Sequence, residues 1–172
     1  MLPRPIEVVA YDPGWPGVFE GLMDRVARAL DGLSFCTEHV GSTAIPGCAA
    51  KPIVDLVVVV GPPDKDEAIS RLAAAGYVHK GDGGITGRER FAQPGDLPRH
   101  HLYLCSAGNR ELEREILFRD YLRSHPEQIL NYSRLKIDLA ARYRDDRQAY
   151  TRAKTPFIEG ILSLAGRSRG EL

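Results

Sequence analysis

Apolar and polar residues alternate along the first two thirds of the chain in short blocks that predict strands and helices. Between Trp15 and Leu30, apolar residues recur at the spacing of an amphipathic helix. Residues 53–60 are apolar at nearly every position, which predicts an inner strand covered on both faces. The other short patterns predict strands at 6–11, 35–40, 77–79, 88–92 and 101–105 and a helix at 65–75.

The last third of the chain shows only helical patterns. Three successive helices are predicted at 109–124, 127–143 and 147–164. The chain therefore divides into a sheet-containing core at 1–106 and C-terminal helices at 107–166, followed by a tail at 167–172 that we expect to be frayed. A run of strands followed by a run of helices favours the α+β class over a doubly wound sheet.

Composition limits the partners and the compartment. The 172 residues have the length of a single domain, and the 23 basic and 23 acidic side chains cancel. Without excess positive charge, we expect neither general nucleic-acid binding nor attachment to an anionic membrane. No apolar run approaches the ~20 residues of a membrane helix. The cysteines form no CxxC pair, which indicates reduced thiols and a cytoplasmic protein.

One carboxylate, that of Asp55, interrupts the most apolar predicted strand. A carboxylate buried without a partner is costly, so the sequence predicts a group that offsets its charge. Two partners stay open at this point. One is the ammonium group of Lys51 in a structural ion pair, and the other is a divalent metal ion at the end of the sheet.

A pair of small residues, Gly41 and Ser42, follows the preceding strand. Glycine lets backbone N–H groups approach a phosphate closely, and the serine hydroxyl adds a donor. Most Gly-Ser pairs are ordinary turns. Because this pair precedes the strand that carries Asp55, the combination favours a phosphate site beside that carboxylate.

The stretch EHVGSTAIPGCAAKPIVDL begins at residue 38. It resembles the signature of the GrpB-like family, which is related to the nucleotidyltransferase superfamily. The segments VVAYDPGWPGVF, LFRDYLRSHPEQILNYSRLKIDLA and AYTRAKTPFI also resemble that family, so the likeness covers nearly the whole chain. The resemblance implies a nucleotidyltransferase-like fold, with a mixed, largely antiparallel sheet and helices packed against it.

The resemblance also implies a chemistry. In active members of the superfamily, a Gly-Ser pair holds the phosphates of a nucleotide, and several carboxylates bind Mg²⁺ for attack on a phosphoryl group. Carried onto this chain, Gly41 and Ser42 match the phosphate-holding pair, and Asp55 matches the first metal carboxylate and is the candidate catalytic residue. The second acid should stand two residues later, where this chain has Val57.

The strand at 101–105 supplies a histidine in place of a further acid. Imidazole suits first-row metals softer than Mg²⁺, so the sequence also predicts a site for Zn²⁺ or Mn²⁺. The ligands of that site would be Asp55, His101 and one of Glu38 and His39. Alternatively, His101 only donates a hydrogen bond to Asp55 in a structural pair, and the sequence leaves both interpretations open.

Basic residues predict the other half of a nucleotide site. Lys51 lies close to the Gly-Ser pair, while Arg88 and Arg90 alternate on one strand and share a face. Lys136 and Lys154 each follow a tyrosine by four residues, which places both members of each pair on one helix face. We expect these residues to contact phosphate if the helices line the open face of the sheet. The alternative is a solvated helix surface.

The leading hypothesis is a nucleotidyltransferase-like protein that binds a nucleotide or a related phosphorylated ligand. If the protein is an enzyme, we expect it to transfer a nucleotidyl group with the help of a divalent metal ion. A second hypothesis is a non-catalytic binding or regulatory module, which the resemblance links to coenzyme A metabolism. A third is a small metal-dependent hydrolase that uses Asp55 and His101.

Overall fold

The computed structural model describes residues 5–169 and contains a five-stranded sheet. Its strands are β1 (Phe35–Val40), β2 (Val54–Val60), β3 (Val78–His79), β4 (Arg88–Ala92) and β5 (His100–Ser106). They lie in the order β1-β2-β5-β4-β3. The strands β2 and β5 run parallel, and every other neighbouring pair is antiparallel. The predicted mixed, largely antiparallel sheet is therefore confirmed.

Within residues 5–169, five α-helices accompany the sheet, close to the predicted positions. They are α1 (Trp15–Ala29), α2 (Lys65–Ala74), α3 (Arg110–Arg123), α4 (Pro126–Arg142) and α5 (Arg147–Arg169). The start of α3 is marked by Asn109, whose side-chain oxygen accepts a hydrogen bond from the Leu112 backbone N–H at 3.1 Å. Within residues 5–169, none of the helices combines the length and the apolar character needed to cross a bilayer.

The two faces of the sheet are covered by different parts of the chain. Leu56, Leu102 and Leu104 are fully buried on one face, in a core shared with residues of α1 and α2. On the other face, Val57 and Cys105 pack against Leu112 of α3, and α4 and α5 pack against α3. Alternation along β2 therefore sends its even-numbered side chains to one helical layer and its odd-numbered side chains to the other.

Two expectations about the chain ends differ from the structure. Residues 6–11 form no strand: the Ile6 N–H donates to the Arg144 carbonyl, and Val9 makes a single antiparallel bridge with Ala50. Because these backbone bonds go to two different partners, no ladder develops, although the segment is apolar. At the other end, α5 continues to Arg169, so residues 167–169 are helical where we expected a frayed tail. Residues 170–172 lie outside the described residues.

Candidate functional site

A cavity of about 390 Å³ lies between the sheet and the C-terminal helices. Side chains of β2, β4 and β5 line one side, and side chains of α3, α4 and α5 line the other. We call it the central cavity. Eight of the predicted site residues line it: Gly41, Ser42, Lys51, Asp55, Arg88, His101, Lys136 and Lys154. The structure therefore brings together residues that lie up to 113 positions apart in the sequence, from Gly41 to Lys154.

Asp55 is partnered by a histidine and not by Lys51. It lies near the start of β2, paired with Val40 of β1 on one side and with His101 of β5 on the other. Paired residues of neighbouring strands point to the same face, which brings Asp55 Oδ1 within 2.7 Å of His101 Nδ1. The Asp55 side chain keeps 27% of its exposure and lines the central cavity. The carboxylate therefore has a partner and is still accessible to a ligand.

Gly41 is required by its contact with Asp55. Its φ of +72° lies in a region that L side chains rarely adopt, and a Cβ placed there would collide with Asp55 Oδ2. The chain then makes a 3₁₀ turn at Ser42–Ala44. The Gly-Ser bend thus lies directly against the carboxylate, which is the arrangement that the sequence pattern predicted.

Lys136 ties the bend to α4. Only 2% of this residue is exposed. Its ammonium group donates to Ser42 Oγ at 2.8 Å, contacts Cys48 Sγ at 3.2 Å and also donates to the Ala49 carbonyl. Burial lowers the pKa of Lys136. The three groups that this ammonium contacts are Ser42 Oγ, Cys48 Sγ and a backbone carbonyl, so it has no carboxylate partner.

Lys154 and Lys51 both lie near the ring of Tyr150. Lys154 Nζ is 4.7 Å from the centre of the Tyr150 ring, and Lys51 Nζ is 5.6 Å from it. Burial, followed by repulsion from Lys51 and Lys136, lowers the pKa of Lys154 to about 8. Burial also lowers the pKa of Lys51. The three ammonium groups therefore repel one another inside one cavity.

The acids that line the central cavity are already engaged by other groups. Glu115 lies 3.3 Å from the Arg88 guanidinium, and Glu111 lies 3.8 Å from Arg114. Burial raises the pKa of Glu115 to about 7, so this side chain carries little negative charge below neutral pH. Because Asp55 is paired with His101, no carboxylate among residues 5–169 lies within ion-pair distance of the three lysines.

The predicted metal ligands do not assemble. Glu38 shares the face of Asp55, but its carboxylate is bound by Arg119 at 2.7 Å. His39 points to the opposite face, where its ring stacks on Phe19 with centroids 4.6 Å apart. Burial lowers the pKa of His39 to about 4. In the part of the chain that the structure describes, no three His, Cys, Asp or Glu side chains are close enough to share a metal ion.

Val57 stands where the resemblance implies a second metal-binding carboxylate, and this position is buried. Val57 is 1% exposed and packs under Leu112 of α3. Asp55 and His101 alone offer two ligands, whereas Mg²⁺ is held by oxygen ligands in octahedral geometry and Zn²⁺ by at least three protein ligands. The residues present therefore do not fit the several-carboxylate metal site that the resemblance implied, and neither Glu38 nor His39 lies where it could join Asp55 and His101 as a third ligand.

Two further differences concern single residues. Arg90 is exposed and is absent from the lining of the central cavity, although it alternates with Arg88.

Glu115 lines the cavity but was not predicted, because a Glu in an amphipathic helix is typical of a solvated face. A signal was available in the spacing, since Glu111, Glu115 and Phe118 lie at i, i+4 and i+7 on one face of α3 and all three line the cavity.

Comparison with known sequences shows the family. The chain matches a protein-family model described as "GrpB protein" over residues 5–164. It is 39% identical over 167 residues to the UPF0157 protein PA4798 of Pseudomonas aeruginosa, covering 93% of this chain and 67% of that protein. It is 36% identical over 160 residues to the UPF0157 protein YqkA of Bacillus subtilis, covering 91% of this chain and 46% of YqkA. The chain thus spans about half the length of YqkA.

The chain is also similar to a protein named dephospho-CoA kinase and to two solved structures. A Mycolicibacterium paratuberculosis protein named dephospho-CoA kinase is 28% identical over 188 residues, which cover 94% of this chain and 46% of that protein. The crystal structure of GrpB from Enterococcus faecalis has a TM-score of 0.85 and 31% identity, covering 96% of this chain and 100% of that one.

The second solved structure is the Cid1 poly(U) polymerase with Mg 3′-dATP bound, which has a TM-score of 0.56 and 11% identity and covers 85% of this chain and 49% of that one. At that identity the likeness shows the fold alone, which is the nucleotidyltransferase fold that the resemblance implied. Together with the match over residues 5–164, these similarities show that the chain belongs to the GrpB family.

Proposed function

We propose that this protein binds a nucleotide or a related phosphorylated small molecule in the central cavity. The observation that carries the proposal is the surplus of positive charge there. Once each lining acid is assigned its partner, Lys51, Lys136 and Lys154 share a cavity of about 390 Å³ without a carboxylate in ion-pair distance among residues 5–169. A phosphate group would relieve their mutual repulsion and would replace the water lost on burial.

The Gly-Ser bend suits the phosphate end of such a ligand. Ser42 Oγ accepts a hydrogen bond from Lys136, and its hydroxyl is also a donor that a phosphate oxygen can use. Tyr132 and Tyr150 line the same cavity, but both are nearly fully buried, and their rings lie against Lys136 and Lys154, so they position the two ammonium groups. The volume of the cavity lies within the usual range for small-molecule sites, about 300–1,000 Å³.

The proposal is one of binding and does not include nucleotidyl transfer. A transferase of the superfamily type needs several carboxylates around its metal ions, and here Val57 is buried and Glu38 is bound by Arg119. The second hypothesis from the sequence, a binding or regulatory module, therefore fits the residues better. The similarity to a protein named dephospho-CoA kinase supports coenzyme A precursors as ligands to test, and with them a link to coenzyme A metabolism.

The test compares Lys154→Gln with a matched surface variant, Lys80→Gln. Wild-type protein is titrated calorimetrically with the four nucleoside triphosphates and with coenzyme A precursors, with and without Mg²⁺. We expect at least one ligand to bind, and Lys154→Gln to weaken it about tenfold or more, since charge-assisted hydrogen bonds contribute about 1.5–3 kcal/mol. Lys80 is exposed and absent from the cavity lining, so Lys80→Gln should bind as the wild type does.

The pH dependence has a defined sign. The pKa of Lys154 is lowered to about 8 in the free protein, and a bound phosphate would raise it again because it favours the charged ammonium group. The affinity for the phosphorylated ligand should therefore be highest well below pH 8 and should decline as the pH rises through 8. If none of these ligands binds, or if Lys154→Gln binds as tightly as Lys80→Gln, the proposal is wrong.

A further inference from the structure

A second, smaller cavity adjoins the central cavity and is also basic. It measures about 170 Å³ and is lined by the chain near residues 5–7 and by residues 51–53, together with Arg99 and Arg147. We call it the second cavity. Lys51 lines both cavities. The two spaces therefore share one ammonium group, and a ligand could contact both.

The charge in the second cavity is unbalanced. Lys51, Arg99 and Arg147 face Glu7 as the single lining acid, and within residues 5–169 no carboxylate lies in ion-pair distance of any of the three cations. Burial is the largest cause that lowers the pKa of Lys51, the Asp55 carboxylate opposes it, and the positive charges of Arg147 and Arg99 add to the lowering. Arg99 and Arg147 are exposed, and an anion in the second cavity would offset their repulsion of Lys51.

One face of α5 connects the two cavities. Arg147, Tyr150 and Lys154 lie at positions i, i+3 and i+7 of that helix, so all three are on the same side. Arg147 lines the second cavity, while Tyr150 and Lys154 line the central one. Seven residues at about 1.5 Å each separate Arg147 and Lys154 by about 10 Å along the helix axis.

We propose that the second cavity binds a second anionic group of the same ligand, so that the preferred ligands carry two negatively charged groups about 10 Å apart, one held by Lys136 and Lys154 and the other by Arg99 and Arg147. Lys51 lies between the two groups and contacts both. The ligand class is then a nucleotide or related molecule with a second phosphate or carboxylate remote from the first. This inference rests on the proposed function, because it extends the same binding site.

The test uses two probes that differ only in the second charge. Hexane-1,6-diphosphonate carries phosphonate groups separated by six methylenes, and hexylphosphonate carries one such group on the same chain. Calorimetry should show that the wild-type protein binds the diphosphonate about tenfold more tightly, as expected for one added set of charge-assisted contacts. In Arg99→Gln/Arg147→Gln the ratio of the two dissociation constants should fall to about one.

A double variant with the same change in charge elsewhere controls for long-range electrostatics. Arg28 and Arg134 are exposed and line neither cavity, so Arg28→Gln/Arg134→Gln should keep the tenfold ratio. If the ratio stays near ten in Arg99→Gln/Arg147→Gln, or is already one in the wild type while hexylphosphonate binds, the second anionic site is refuted and the proposed function stands. If the wild type binds neither probe and no nucleotide or coenzyme A precursor, both proposals fail.

Discussion

Replacing Glu115 by Gln should change how the stability of this protein depends on pH. Burial raises the pKa of the Glu115 carboxyl from 4.5 to about 7, with Arg88 opposing the shift and Asp55 and Glu111 adding to it. The unfolded chain keeps the ordinary value, so the folded protein holds the proton more tightly. The stability associated with the neutral carboxyl is fully present below pH 4.5 and is lost as the pH rises through 7.

The size of the effect follows from the difference between the two pKa values. One pKa unit corresponds to about 1.4 kcal/mol, so a change from 4.5 to about 7 costs about 3 kcal/mol of unfolding free energy by pH 8. The Glu115 side chain keeps 26% exposure, which is low enough that solvent does not cancel most of this cost. Gln has a similar shape and does not ionise, so the variant avoids the cost.

The assay is urea denaturation of the wild type and Glu115→Gln at pH 4 and pH 8. The difference in unfolding free energy, variant minus wild type, should rise by about 3 kcal/mol between the two pH values. Groups that titrate in both proteins cancel in this difference. Glu113→Gln is the matched control, because Glu113 is an exposed carboxylate on the same helix. A difference for Glu115→Gln that is as constant across this range as that of the control would refute the burial argument.

Two further predictions concern the sheet side of the site. Gly41→Ala should destabilise the protein by about 1–3 kcal/mol from backbone strain alone, and by more because its Cβ would displace Asp55. Gly17→Ala is its control, since a Cβ there meets nothing within 4 Å, and equal denaturation midpoints for the two variants would contradict the contact. Val57→Asp should not create a metal site but should cost about 3 kcal/mol or more, because it buries a carboxylate under Leu112. A melting temperature of Val57→Asp that rises more with added Mg²⁺ than that of the wild type would show that reasoning to be wrong.

The spacing of apolar residues predicted most of the helices and strands, because the pattern within each element depends on how that element is buried. A strand buried on both faces, such as β2, must be apolar at almost every position, and the helices show the spacing that keeps one side apolar. The failures also have a physical cause. The segment at 6–11 has strand composition, but its hydrogen bonds go to Arg144 and Ala50 separately, and no local pattern records where a backbone partner will lie.

The amino-acid sequence alone determined the class of fold, the Gly-Ser bend, the isolated carboxylate and the lysines that follow tyrosines by four residues, because each depends on neighbours in the chain. Only the tertiary structure decided that His101 partners Asp55, that Glu38 is bound by Arg119, and that α5 carries Lys154 into the same cavity as Ser42. These contacts join residues 46 to 112 positions apart. Their geometry depends on strand order and helix packing, which the spacing of residues along the chain does not encode.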